Sequence, residues 1–175
     1  YPLDYLRSHI GVVLQDVFLF SDTVYNNITL KNPDISMEEV IEAAKVVGAH
    51  DFIMNLPGDY HFNVMERGGT LSTGQRQLLA FIRAYVYNPA ILILDEATSS
   101  VDSDSEQMIQ KAIERITKGR TSIVVAHRLS TIQNADVIVV LEKGEIMEQG
   151  SHFELLTKNG PYRKLFDLQF DEGES

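Results

Sequence analysis

The sequence predicts an α/β protein with a mostly parallel sheet flanked by helices. Apolar runs of strand length recur along the chain, at residues 10–14, 90–94 and 121–126. Helical patterns stand before the second and third runs and end at Asn88-Pro89 and at Gly119. This order of strand, helix and strand implies a right-handed parallel crossover. Residues 137–148 instead predict two strands joined by a turn at residues 142–144.

Pairs of a serine with a glutamate or glutamine three residues later predict where helices begin. In such a capping box, each side chain accepts a hydrogen bond from the other residue's backbone. The pairs are Ser36–Glu39, Ser72–Gln75 and Ser151–Glu154. Gly48 is placed to end the first of these helices.

Two more helices are predicted from their apolar patterns. The first runs from about residue 104 to 117 and is expected to bury Met108, Ile109, Ala112, Ile113 and Ile116. The second begins at Pro161 and carries Tyr162, Leu165, Phe166 and Phe170 on its apolar face. We expect the tail, residues 171–175, to be frayed.

The composition is that of one ordinary globular domain and argues against several functions. The 175 residues carry a net charge of -10, which disfavours a surface that binds nucleic acid by neutralising phosphates. The chain has no cysteine, so disulfides and thiolate metal sites are impossible. The apolar runs fall far short of the roughly 20 residues that a bilayer crossing requires, so any membrane association is expected to come through a partner. The start at Tyr1 is neither a signal peptide nor an initiator methionine and suggests a piece of something longer.

Two consecutive carboxylates, Asp95 and Glu96, follow the apolar strand of residues 91–94. Open α/β sheets bind ligands at the carboxyl ends of their strands. In the functional interpretation Asp95 holds the Mg²⁺ of MgATP, and Glu96 polarises the water that attacks the γ-phosphate. The alternative interpretation is a solvated strand end.

A second motif, residues 71–75, places Ser72 and Gly74 at the start of a helix. A helix N-terminus is an anion site, and glycine lets another group approach the backbone closely. Considered alone, the segment is better interpreted as a simple capping box. Together, however, residues 71–75 and 91–96 resemble the signature motif and Walker B of ABC ATPases in order and spacing.

The resemblance extends over almost the whole chain. Four further segments match. Gln15 matches the Q-loop, and residues 66–69 match the X-loop of exporter-type cassettes. Residues 99–102 match the D-loop, and residues 127–130, which begin at His127, match the H-loop. The resemblance implies a P-loop NTPase-like fold over residues 1–170, with a helical subdomain at about 22–88 and the remaining core at about 89–170.

The resemblance also implies roles and partners. Two cassettes of this family pack head to tail, and each ATP lies between the Walker motifs of one and the signature of the other. The nucleotide bound in trans would contact Ser72, Gly74, Gln75 and Asp102. Within one cassette, Gln15 and Asp95 would hold Mg²⁺, while Glu96, His127 and Gln15 would serve catalysis. Residues 16–25 would receive the coupling helix of a transmembrane domain, although Phe18, Phe20 and Tyr25 fit core packing equally well.

Two departures from the family pattern stand out. The chain has no Gly-Lys pair and so no P-loop, whose amides and lysine hold the phosphates. We therefore expect the N-terminal strands and P-loop to be missing, through truncation or an incomplete copy, and ATP binding by this chain alone to be weak or absent. The second departure is mild: Thr73 stands where the commonest signature has glycine.

The function expected from the resemblance is the ATP-hydrolysing motor of an exporter, at the cytoplasmic face of the cell membrane. The sequences of residues 19–28 and 126–131 look like those of exporters more than those of importers. Two alternatives stay open: a soluble ABC ATPase of DNA repair or translation, and a noncatalytic module that only presents its signature to a complete cassette.

Overall fold

The computed structural model describes residues 2–65, 71–95, 103–126 and 129–171. The chain divides into two compact units, Tyr1–Val125 and Ala126–Ser175. Each unit is described here by itself.

The first unit alternates strands and helices. Its described elements are α1 (Leu3–His9), β1 (Ile10–Val13), β2 (Asp22–Thr23), α2 (Val24–Thr29), α3 (Met37–Val47), α4 (His50–Met54), a 3₁₀ turn (Asp59–His61), β3 (Asn63–Val64), α5 (Thr73–Val86), β4 (Ile91–Asp95), α6 (Ser103–Thr117) and β5 (Thr121–Val125).

A three-stranded parallel sheet in the order β1-β4-β5 forms the centre of this unit. Val13 pairs with Leu94, which in turn pairs with Val124, so the carboxyl ends of all three strands lie along one edge. The predicted parallel arrangement is thereby confirmed. Gly11 is required by close approach, because a Cβ there would come 2.6 Å from Cγ of Pro89.

The two faces of the sheet differ in exposure. On one face Val13, Leu92 and Leu94 are buried in a core that α2, α3, α5 and α6 share. On the other face apolar side chains are exposed, namely Val12, Leu14, Ile123 and Val125. Parallel sheets are usually covered on both faces, so this second face is unusual for its class.

The predicted helix boundaries are confirmed where capping chemistry defines them. Full capping boxes begin α3 at Ser36 and α5 at Ser72. Gly48 ends α3 with a φ of 83°, a backbone conformation in which glycine has no steric cost.

One burial prediction for α6 is wrong. Ile109, Ala112, Ile113 and Ile116 are buried as predicted, but Met108 is 37% exposed. Successive residues of a helix are separated by about 100°. The four buried residues form one stripe, and Met108 lies at its edge.

The second unit contains α7 (Leu129–Ile132), β6 (Ile138–Glu142), β7 (Glu145–Gly150), α8 (His152–Thr157) and α9 (Pro161–Asp171). The two strands form the predicted antiparallel hairpin, and Ser151 begins α8 with the predicted capping box. The small core consists of Ile138, Leu155 and Tyr162. Leu165, which the pattern places on the apolar face of α9, is exposed. Phe170 and residues 172–175 lie outside the described side chains.

Candidate functional site

The carboxyl edge of the parallel sheet presents Asp95 and Gln15. Asp95 is the last residue of β4, and Gln15 follows β1 by two residues. Because β1 and β4 are parallel neighbours with Val13 opposite Leu94, both side chains leave the sheet at the same edge. Asp95 is partly buried and Gln15 is exposed. This is the edge at which open α/β sheets bind ligands.

The amino end of α5 is a well-formed helix start. The Oγ atom of Ser72 accepts a hydrogen bond from the Gln75 backbone N–H at 3.1 Å, and Oε1 of Gln75 accepts one from the Ser72 N–H at 3.0 Å. Gly74 is buried in the first turn. The partial positive charge of a helix N-terminus favours an anion beside Ser72.

A cavity of about 170 Å³ joins these two parts of the first unit. It is lined by Gln15, Asp16, Val17, Thr73 and Arg76. The structure thus brings Gln15 and the first turn of the signature helix together around one space.

Arg76 is held at this helix start by two hydrogen bonds. Its guanidinium donates to the Leu71 carbonyl at 3.2 Å and to Oγ1 of Thr73 at 3.1 Å. Thr73 stands where the commonest signature has glycine, and its hydroxyl therefore holds the Arg76 side chain in place. The sequence analysis assigned no role to Arg76, and it named Asp16 only as the first residue of the 16–25 segment. Their positions directly after Gln15 and Gln75 are the only signals that point to them.

The donor set at the sheet edge fits Mg²⁺ in part. Carboxylate and amide oxygens are ligands that Mg²⁺ accepts, and it is usually bound by one or two carboxylates with phosphates and waters. Among the described residues, no three His, Cys, Asp or Glu side chains come together as a metal site. Asp95 and Gln15 are thus two side chains at this edge whose oxygens are of the type that Mg²⁺ accepts.

The aromatic residues after Gln15 divide into two groups. Phe18 and Phe20 are 61% and 53% exposed, and their rings meet edge to face with centroids 5.0 Å apart. Tyr25 instead packs against the core and donates its hydroxyl to the Ile35 carbonyl at 2.6 Å. Core packing, which the sequence analysis gave equal weight, thus applies to Tyr25 and not to the two phenylalanines.

Several predicted site residues lie outside the described residues. They are Glu96, Asp102 and His127, together with the X-loop residues 66–69 and the remainder of the D-loop. Their assignments remain predictions from the sequence.

A larger cavity, of about 580 Å³, lies at the opposite, amino edge of the sheet. Its basic residues include Lys118 and Arg120, which follow the carboxyl end of α6, where cations are stabilised by the helix dipole. Arg120 donates to Oδ1 of Asn88 at 3.1 Å and lies over the ring of Tyr85. These contacts give the cluster a structural role, remote from Asp95 and Ser72.

Within the ranges that the structure describes, no helix is long and apolar enough to cross a membrane.

The α/β fold with its parallel sheet flanked by helices is that of the ATP-binding cassettes. The chain belongs to the ABC transporter family, whose family model matches residues 2–99.

Two curated relatives and one solved structure illustrate the similarity. The uncharacterized ABC transporter ATP-binding protein YknU of Bacillus subtilis (strain 168) is 54% identical over 170 residues, which is 97% of this chain and 29% of that protein. A Staphylococcus aureus (strain NCTC 8325 / PS 47) protein with the provisional name multidrug export ATP-binding/permease protein is 56% identical over 164 residues, 94% of this chain and 28% of that protein.

The solved structure is a bacterial Atm1-family ABC exporter with ATP bound. It matches with a TM-score of 0.83 and 44% sequence identity, over 93% of this chain and 28% of that chain. The chain thus spans less than a third of the length of these proteins. The α/β fold predicted from the sequence is confirmed.

Proposed function

We propose that this chain is part of the ATP-hydrolysing motor of an ABC exporter. The observation that carries the proposal is the arrangement of Gln15, Asp95 and the capped start of α5 on one unit of an ABC family member. The exporter names of its relatives support this function over a nucleic-acid clamp of the repair or translation type. The strongly acidic balance of the chain points the same way.

One set of residues serves the nucleotide bound by the same cassette. Asp95 and Gln15 would hold Mg²⁺, which when bound neutralises charge on the phosphates. Glu96 is the general base: its carboxylate accepts a hydrogen bond from the attacking water and orients that water. His127 holds the γ-phosphate and Glu96 in working geometry.

A second set serves a nucleotide held by a partner cassette. The hydroxyl of Ser72 and the amides near Gly74 would contact the γ-phosphate, because the amino end of α5 stabilises negative charge. Gln75 holds the Ser72 backbone through the capping box, and Asp102 is assigned to the dimer interface. ATP binding therefore creates the dimer, which is either a homodimer or a heterodimer.

Residues 16–25 are proposed to receive the coupling helix of a transmembrane domain. The exposed pair of Phe18 and Phe20 offers an apolar surface suited to such a helix. The chain would then work at the cytoplasmic face of the cell membrane as part of an integral transporter. Within it, residues of about 22–88 form the helical subdomain and residues of about 89–170 the remaining core.

The test is Glu96→Gln in the complete polypeptide. Loss of the general base with ATP binding retained is expected to trap an ATP-bound dimer, measured as MgATP-dependent dimerisation together with loss of phosphate release. Normal turnover in this variant would contradict the assignment of Glu96.

A crosslinking experiment tests the coupling surface separately. Photocrosslinkers at Phe18 or Phe20 in an active transporter are expected to reach intracellular loops of the membrane domain. A probe at exposed Leu165, which carries no proposed contact, is the matched control. Equal labelling from both positions would contradict coupling at residues 16–25.

A further inference from the structure

The exposed aromatic pair is attached to the protein interior by a buried leucine and a buried amide. Phe18 and Phe20 belong to a segment, residues 18–21, that we name the aromatic loop. Leu19 anchors this loop in the core, and Asn27 of α2, only 1% exposed, hydrogen-bonds it. Oδ1 of Asn27 accepts from the Phe20 N–H at 2.8 Å, and Nδ2 donates to the Phe20 carbonyl at 3.0 Å.

The same amide also holds the next residues of the chain. Nδ2 of Asn27 lies 3.0 Å from the Thr23 carbonyl and 3.3 Å from the Asp22 carbonyl. A buried amide with this many partners holds the backbone around it, because loss of these hydrogen bonds would leave the buried polar atoms of Asn27 unsatisfied. The aromatic loop therefore moves with Asn27.

Asn27 is in turn bonded to the signature helix. Its backbone carbonyl accepts a hydrogen bond from Nε of Arg83 on α5 at 2.9 Å. Arg83 lies 11 residues after Ser72, or about 16 Å along a helix that rises about 1.5 Å per residue. A continuous chain of hydrogen bonds and rigid helix thus runs from the aromatic loop to the capped start of α5.

Placing the charged side chain of Arg83 at this position costs free energy of desolvation. Arg83 is partly buried, and its Nη2 atom is buried with no hydrogen-bond partner among the described residues. Burial lowers the pKa of Arg83 below its usual range. A partly buried charge with an unsatisfied donor costs free energy, so stability alone does not account for an arginine here.

We propose that Arg83, acting through the carbonyl of Asn27, is a positioning residue that couples the aromatic loop to the signature helix. The inference rests on the proposed function, because it concerns how a docked membrane segment and the ATP site sense each other. Movement of the aromatic loop shifts Asn27, the bond from Arg83 transmits the shift to α5, and Ser72 changes its position at the nucleotide.

The structure also provides a matched control at the same interface. The hydroxyl of Tyr87, which caps the carboxyl end of α5 four residues after Arg83, donates to the Thr29 carbonyl at 2.6 Å. This bond likewise joins α5 to α2, but Thr29 makes no hydrogen bond to the aromatic loop in the described structure. Tyr87→Phe therefore removes an α2–α5 bond without cutting the proposed connection.

The experiment is hydrogen–deuterium exchange on the complete polypeptide in lipid, with and without a non-hydrolysable MgATP analogue. In the unmutated protein and in Tyr87→Phe, the analogue is expected to slow exchange in residues 71–76 and in residues 18–22. In Arg83→Met, the analogue should still slow exchange in residues 71–76. Its effect on residues 18–22 should fall by a factor of about 2 to 30, which is the size of effect that mutations of coupling residues have.

Arg83→Lys provides a second variant in case the methionine variant does not fold. Its ammonium can still donate to the Asn27 carbonyl, so it should restore part of the response in residues 18–22. Melting temperatures of all variants separate a change of coupling from a change of stability. A purely structural role would lower the melting temperature of Arg83→Met and leave the exchange response of both segments unchanged.

The outcomes distinguish the two proposals. If residues 71–76 of the unmutated protein do not respond to the analogue, the proposed function is contradicted. If residues 71–76 respond but residues 18–22 respond equally in Arg83→Met, Arg83→Lys and the unmutated protein, the proposed function stands and the role of Arg83 is overturned. The same conclusion follows if residues 18–22 of the unmutated protein show no response.

Discussion

Ser72 and Gln75 exchange two hydrogen bonds across the first turn of α5, from the Gln75 N–H to Oγ of Ser72 and from the Ser72 N–H to Oε1 of Gln75. Ser36 and Glu39 make the same pair of bonds at the start of α3. The two capping boxes are therefore nearly identical in local chemistry, while only the first lies in the signature motif.

This equivalence predicts that Ser72→Ala and Ser36→Ala cost similar stability but differ in function. Each substitution removes one cap and should lower the free energy of unfolding by about 1 kcal/mol, measured by denaturant titration. In the complete polypeptide, only Ser72→Ala should also reduce ATP hydrolysis, because its hydroxyl and helix start are proposed to hold the γ-phosphate. Equal ATPase activities at matched stability would show that the Ser72 box is only a helix cap.

Two phenylalanines are predicted to contribute very differently to stability. Phe81 of α5 is 1% exposed within the main core, and Phe18 is 61% exposed. Phe81→Ala should lower the free energy of unfolding by about 3 to 5 kcal/mol, because it leaves a cavity in a packed core. Phe18→Ala should change it by less than about 0.5 kcal/mol.

The functional readout for Phe18 is separate from its stability. In the complete transporter, Phe18→Ala is expected to weaken crosslinking of the 16–25 segment to membrane-domain loops. A large loss of stability from Phe18→Ala would mean that its ring packs in the core, and the docking interpretation would then lose its basis.

Local chemistry explains which parts of the fold the sequence predicts. A capping box depends on residues three positions apart, so Ser36, Ser72 and Ser151 mark their helices correctly. The strand runs are correct to within about one or two residues, the usual uncertainty at element ends. Apolar periodicity identifies the buried stripe of α6, but it does not set the width of the stripe, and Met108 falls at the edge.

Tertiary contacts explain what the sequence does not predict. The hydrogen bond from Arg83 to Asn27 joins residues 56 positions apart, and no local sequence pattern predicts it. Likewise, Phe18, Phe20 and Tyr25 are equivalent aromatic residues in the sequence, and only packing separates the two exposed rings from the partly buried one. The division of the chain after Val125 is also invisible locally, since no linker composition marks it.

The buried phenol of Tyr60 predicts a loss of stability at alkaline pH. Its hydroxyl lies 2.8 Å from Nδ1 of His50, and burial, followed by the charge of Asp59, raises the pKa of Tyr60 from 10.0 to about 12. The folded state therefore retains the proton over a range in which the unfolded chain has released it. By linkage, this contribution to stability is complete below the unfolded pKa, and the free energy of unfolding falls as pH rises from about 10 to 12.

Tyr60→Phe tests the assignment by removing the titrating group. The variant should be less stable at neutral pH by about 1 kcal/mol, because the bond to His50 is lost. Its free energy of unfolding should fall less steeply above pH 10 than that of the unmutated chain, as measured by urea titration across the range. Parallel slopes in the two proteins would show that Tyr60 titrates normally.

The final prediction concerns the 175-residue chain as an isolated protein, which we expect to show no steady ATP hydrolysis. ABC cassettes hold the nucleotide phosphates with P-loop amides and a lysine, and this sequence contains no Gly-Lys pair. Without those amides and that lysine the phosphates lose their main proposed ligands, so MgATP should bind weakly. Phosphate release by the purified chain is the measurement, with Glu96→Gln as the control for contaminating ATPases. Steady turnover that Glu96→Gln abolishes would contradict the prediction, because catalysis would then proceed in this chain without a P-loop.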